Sequence, residues 1–138
     1  MYNDNISPTT RSFADECNAA GIADIGALVA VSENELKYDV IIDAVFGIGF
    51  RGELDSAAKL AFAAVAKISA QKVSLDVPSG VFADSAAVAD GAFKADITIA
   101  LCAKKPCHLI YPARQNCGVT YTADMGFGGD ILNRINPY

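Results

Sequence analysis

Apolar residues in this chain come in short blocks. Residues 39–46, Asp-Val-Ile-Ile-Asp-Ala-Val-Phe, are continuously apolar except for their acids, and residues 72–77 and 96–101 form similar runs. Such runs read as strands buried on both faces, as in a parallel sheet. Residues 119–123 read as a fourth strand. Between the first two strands, residues 54–70 carry Leu54, Ala58, Leu60, Ala61, Val65 and Ile68 on one broad helical face. A further helix is expected near the N-terminus. Ser7 or Thr9 can cap it, Pro8 suits its first turn, Phe13, Cys17 and Ala20 fall at helical spacing, and Gly21 can end it. Residues 22–31 read as another strand and 32–36 as a single helical turn. No internal repeat, low-complexity tract or linker divides the chain, so one domain is expected over residues 1–138.

Strand–helix–strand order implies right-handed crossovers and an α/β fold with a parallel sheet. In such sheets ligands bind at the carboxyl ends of the strands. Composition narrows the ligand. The 138 residues are 52% apolar, enough for a core, and the formal net charge is −5. No Lys/Arg stripe is present to displace counterions, which excludes nucleic-acid or anionic-membrane binding by bulk charge. No apolar run approaches the roughly 20 residues that span a bilayer. The first residues lack a basic and apolar secretory pattern, so a cytoplasmic protein is expected. The cysteines are then free thiols. Cys102, Cys107, His108 and Cys117 cluster in sequence, but their spacings are not those of a zinc site, and small buried apolar residues are the better reading.

The strand ends gather the chemistry. Asp43 lies near the end of the first strand and is followed by Gly47-Ile48-Gly49-Phe50-Arg51-Gly52-Glu53. Asp76 ends the second strand, before Pro78-Ser79-Gly80, and the third strand runs into Lys104-Lys105-Pro106. Each element has a plain explanation. An aspartate at a strand end often only caps the next turn. The glycine loop matches a dinucleotide fingerprint, yet it lacks the acidic ribose partner, which weakens a generic oxidoreductase reading. Convergence of two carboxylates, a hydroxyl and an ammonium on one rim is what points to function, because a carboxylate beside an ammonium is a usual way to tune an acid or base.

Five blocks in this order, Asp39–Gly49, Val73–Gly80, Ala95–Leu101, Ala103–Pro106 and Gly118–Gly126, resemble the YjeF N-terminal domain family, which contains the NAD(P)H-hydrate epimerases. The likeness spans about residues 39–126, with a looser fit over 7–38. It implies a Rossmann-like three-layer αβα sandwich with a mostly parallel sheet. It also implies interconversion of the R and S epimers of hydrated NADH or NADPH, with a potassium ion. By the resemblance, Asp43 and Ser79 match potassium ligands, and residues 47–53 match the loop that holds the hydrated dinucleotide. Asp76 matches a substrate-contacting acid–base residue, and Lys105 matches a lysine near the site. Potassium takes oxygen ligands, which suits Asp and Ser.

One family feature is absent. The first strand and its Gly-Asn-Asn-Gly-Gly-Asp-Gly type loop, which supplies phosphate contacts and one potassium ligand, have no counterpart here. The strand at Val40 is therefore expected to have an open edge, a site of assembly. Three readings stay open. The chain is a fragment of an ordinary enzyme, or one half of a split enzyme completed by a homo-oligomer partner or an N-terminal fragment. Alternatively it is an inactive nucleotide-binding or scaffolding module, as in family members that act in messenger-RNA decapping.

Overall fold

The computed structural model describes residues 7–21 and 38–126, which fall in two units, Met1–Leu36 and Lys37–Tyr138. The expected strand at 22–31 and turn at 32–36 lie outside the described residues. In the first unit, helix α1 spans Pro8–Ala19. Ser7 caps it, accepting the Thr10 N–H at 3.1 Å, and Gly21 follows its end with φ 76°.

The second unit holds β1 (Val40–Asp43), α2 (Ser56–Lys67), β2 (Gln71–Leu75), β3 (Ile97–Leu101), a 3₁₀ turn (Pro106–His108), α3 (Arg114–Cys117) and β4 (Val119–Ala123). The four strands form an all-parallel sheet in the order β1-β2-β3-β4. This is the expected α/β class. Among the described residues β1 pairs with β2.

Strand and helix ends differ from the sequence reading for local reasons. β1 stops at Asp43 rather than at residue 46. Its side chain accepts the Val45 N–H at 3.3 Å, and the Phe46 N–H goes to Ser79 Oγ at 2.9 Å, so neither extends the ladder. α2 starts after Asp55, whose carboxylate caps the Ala58 N–H at 2.7 Å, and ends where Ile68 turns extended. Leu54 lies before the helix and is buried, whereas Leu60 is 65% exposed. The half-buried face is Ala58, Ala61, Phe62 and Val65, and at about 100° per residue Leu60 points the other way. β2 stops at Leu75 because Asp76 turns the chain with φ 65°.

Among the described residues of this unit, the packing lies on one face of the sheet. Asp43, Ser74, Thr98 and Ala100 point to the packed side and are buried. The alternate residues include Ile42, 63% exposed, with Val40, Leu75, Val119 and Tyr121 also exposed. The cause is topological. Three successive right-handed crossovers moving the same way across a sheet lie on the same face. Their core is made of small residues, Val77, Val81, Ala83 and Ala86 from the loop that joins β2 to β3, with Cys107 and Ala113. Small residues let the backbone come close. Gly118 has φ 58°, and a Cβ there would stand 2.1 Å from the Asp96 carbonyl oxygen. Among the described residues no helix is long and apolar enough to cross a membrane.

Candidate active site at the strand ends

Asp43 is 3% exposed, and its hydrogen-bond donors are all neutral. One carboxylate oxygen accepts from Ser79 Oγ at 2.6 Å and the Val45 N–H at 3.3 Å. The other accepts from Ser74 Oγ at 3.0 Å and the Ser79 N–H at 2.8 Å. A carboxylate has about four acceptor places, and these contacts fill them. The parallel register sets Asp43 beside Ser74, and the turn after β2 brings Ser79 over both. The expected pair Asp43 and Ser79 is therefore brought together, as a bracket tying the end of β1 to the loop after β2.

Asp76 and Lys105 are also brought together, in a second cluster. The Lys105 ammonium donates to Asp76 Oδ1, and their side chains are 15% and 20% exposed for Asp76 and Lys105. The same Oδ1 accepts the Leu101 N–H at 3.0 Å, and Lys105 Nζ also donates to the Leu101 carbonyl at 2.7 Å. Two neighbouring strands end alike. The Val77 N–H returns to the Leu75 carbonyl at 2.9 Å around Asp76, and the Ala103 N–H to the Leu101 carbonyl at 2.8 Å around Cys102. Both central residues have positive φ, 65° and 64°. These are γ-turns of the strained kind, and strain of order 1–3 kcal/mol per residue clusters at functional sites.

His108 completes this cluster. Its Nδ1 accepts the Lys105 N–H at 2.9 Å, and its Nε2 donates to the Asp76 carbonyl at 2.8 Å. The sequence reading places His108 only in the cysteine group and misses this role. The available signal is its position three residues after Lys105, where a side chain can reach back to the residue capping the turn, as Glu or Gln does in a capping box.

The glycine loop stands apart. Gly47, Ile48, Gly49, Phe50, Arg51, Gly52 and Glu53 run from the Asp43 bracket to α2. A depression of about 520 Å³ is lined by Phe46, Gly47, Gly49, Phe50, Arg51 and Glu53, among others, and neither Asp76 nor Lys105 lines it. Ile48 is exposed, and a Cβ added at Gly47 or Gly49 would meet nothing within 4 Å, so the loop presents open backbone. Phe50 is instead a buried anchor between Phe46 and Phe82, with ring centroids 5.5 and 5.2 Å away. Arg51 folds back on its own loop, donating to the carbonyls of Ile48 at 3.0 Å and Phe50 at 2.7 Å. Of the three glycines only Gly52 has positive φ.

Cys107 and Cys117 are buried, as expected, and Cys102 is exposed. The Cys107 and Cys117 sulfurs and a His108 ring nitrogen lie within 4.8 Å of one another. Both ring nitrogens are already engaged, so His108 has no lone pair to give a metal without losing a main-chain bond. The Cys117 thiol donates to the Cys107 and Ala113 carbonyls at 3.5 and 3.3 Å, and the nearness of the two sulfurs holds Cys107 below the ordinary thiol range and, with burial, pushes Cys117 up.

An all-parallel α/β unit with a carboxylate–ammonium pair at its strand ends is the architecture of a small-molecule site. The model of the YjeF-related protein N-terminus matches residues 3–107, and the chain belongs to this family. The match reaches nearer the N-terminus than the motif blocks and stops before the last of them. A Pirellula staleyi NAD(P)H-hydrate epimerase is 30% identical over 107 residues, 78% of this chain and 47% of the relative. A Levilactobacillus brevis protein of the same name is 30% identical, over 89% of this chain and 55% of its own length. A Helicobacter pylori bifunctional NAD(P)H-hydrate repair enzyme is 38% identical over 94% of this chain and 26% of its own. The chain thus spans about half the length of the curated epimerases it matches. The crystal structure of yeast ynu0 shares the fold, with a TM-score of 0.72 at 19% identity, covering 98% of this chain and 57% of that one.

Proposed function

We propose that this chain carries the acid–base part of an NAD(P)H-hydrate epimerase site. The observation that carries the reading is the Asp76–Lys105 pair, held between the ends of β2 and β3 in a chain of this family. Epimers at the hydrated C6 of the nicotinamide ring exchange if the hydroxyl leaves and returns. Breaking the C6–O bond sends its electron pair to oxygen, which takes a proton and departs as water, and the ring is left as an iminium. Water then adds to the other face and returns the proton. The Asp76–Lys105 pair holds a proton it can lend and recover, and the carboxylate favours the cationic ring. The loop of residues 47–53 supports the dinucleotide with open backbone and the Arg51 and Glu53 side chains.

Potassium is part of this reading. The ligands at hand, Asp43 and Ser79, offer oxygens, as a hard cation requires, and an ion there would add fixed positive charge for phosphate or water. Both would have to exchange a present hydrogen bond for the ion. Completion by a second copy or by an N-terminal segment belongs to the same reading, since the chain spans about half the length of the epimerases it matches.

The test follows the epimers of hydrated NADPH by chromatography, in potassium and in sodium, with the chain alone and with a supplied N-terminal half. Exchange that vanishes in Asp76→Asn supports the proposal. No exchange in any mixture, with nucleotide binding intact, would establish the inactive module instead.

A further inference from the structure

We infer that His108 is a positioning residue that sets the Asp76–Lys105 pair, an assignment that rests on the acid–base reading of that pair. The imidazole is 3% exposed and bridges two main-chain groups. The Lys105 N–H can only donate, so Nδ1 must be bare. The Asp76 carbonyl can only accept, so Nε2 must carry the proton. One neutral tautomer is thereby fixed by its neighbours.

The bridge acts where the chain is strained. Asp76 sits in the left-handed region at the centre of its γ-turn, and its carbonyl is held by His108 while its N–H is held by the Ile99 carbonyl at 2.8 Å. Those two bonds fix the direction in which the carboxylate leaves the backbone. The Lys105 main chain is gripped by the same ring. The turn that carries both is pinned to the core, since the Cys107 N–H donates to the Ala83 carbonyl at 3.0 Å. A rigid ring with an acceptor on one side and a donor on the other can fix the spacing of acid and ammonium. Leucine of similar bulk would fill the space without either bond.

The experiment begins with the unaltered chain. It has one histidine, so a nitrogen–proton spectrum of the imidazole needs no assignment. A protonated Nε2 and a bare Nδ1 are expected, and a proton on Nδ1 would overturn the inference. Next, the rate of Lys105 acylation by an amine reagent is read by mass spectrometry in His108→Leu and His108→Gln. Leucine is expected to raise the rate about tenfold, the scale of one buried hydrogen bond, and glutamine, which keeps a donor for Asp76, to return it most of the way. A folded His108→Leu with the parent's Lys105 reactivity would sink the role. Should that variant fail to fold, the tautomer and the glutamine variant still decide. Neither readout needs turnover, so absent epimer exchange would count against the acid–base reading alone. With exchange present, the leucine variant is expected to lower kcat and leave KM nearly unchanged.

Discussion

Asp43 and Asp76 occupy similar places, near or at the ends of adjacent parallel strands, and their surroundings are opposite. Among the described residues Asp43 is sealed by hydroxyls and amides, with no cation within its hydrogen bonds. Asp76 is partly open, strained, and joined to an ammonium. The first arrangement closes a structure, since a buried carboxylate with all its acceptor places filled resists removal. The second keeps a charged pair within reach of solvent, as the proposed acid–base role requires. Equal residues at equivalent sites are thus divided into a sealed bracket and a strained ion pair by what the next few residues do.

The sharpest break between them comes from deletion. Asp43→Ala strands the Ser74 hydroxyl and both donors of Ser79, and at 1–3 kcal/mol for each buried unsatisfied group it is expected to cost about 4 kcal/mol in urea unfolding. A variant as stable as the parent would remove the distinction. Asp76→Asn is expected to do the reverse. Epimer exchange should fall about a hundredfold, the usual weight of acid–base catalysis, with a smaller loss of unfolding free energy than in Asp43→Ala, about 2 kcal/mol, because the largely buried Lys105 ammonium loses its carboxylate but Asn keeps an acceptor. A smaller step is Ser79→Ala, which loses the hydroxyl shared by Asp43 and the Phe46 N–H. About 1.5 kcal/mol is expected, together with loss of any difference between potassium and sodium in thermal melting.

The smallest effect comes from an exposed charge pair that belongs to neither cluster. The Lys59 ammonium, 2.8 Å from the Asp90 carboxylate, holds Asp90 below its ordinary range, and Asp90 in turn raises Lys59. A carboxyl with a depressed folded value adds stability above its unfolded value and loses it as pH falls through the folded one. The raised lysine adds stability below its own unfolded value and loses it as pH rises through the folded one. Lys59→Ala should therefore lower the melting temperature slightly at neutral pH, with the difference from the parent vanishing at strongly acidic pH. A difference that persisted there would assign the effect to packing of the lysine stem against Gly91.

Strand identity, the helix between β1 and β2, and the aspartates at the strand ends were legible in the sequence. Continuous apolar runs, helical spacing and Pro-Ser-Gly or Lys-Pro breaks are local signals, and they also carry the family likeness. The ends of elements were less so. β1 stops early because the Phe46 N–H turns to a serine thirty-three residues away, and Leu60 falls on the solvent side because its angle around the helix outweighs its apolarity.

The sequence by itself determined a parallel α/β domain with acids, a hydroxyl and a lysine at one rim, because those features depend on residue type and spacing along the chain. Only the tertiary structure decided that Asp43 is sealed, that Asp76 faces an ammonium, and that the single histidine joins Asp76 to Lys105. Each of these depends on contacts between residues far apart in sequence, where the direction of one hydrogen bond, and not the identity of a residue, settles which group is buried and which can react.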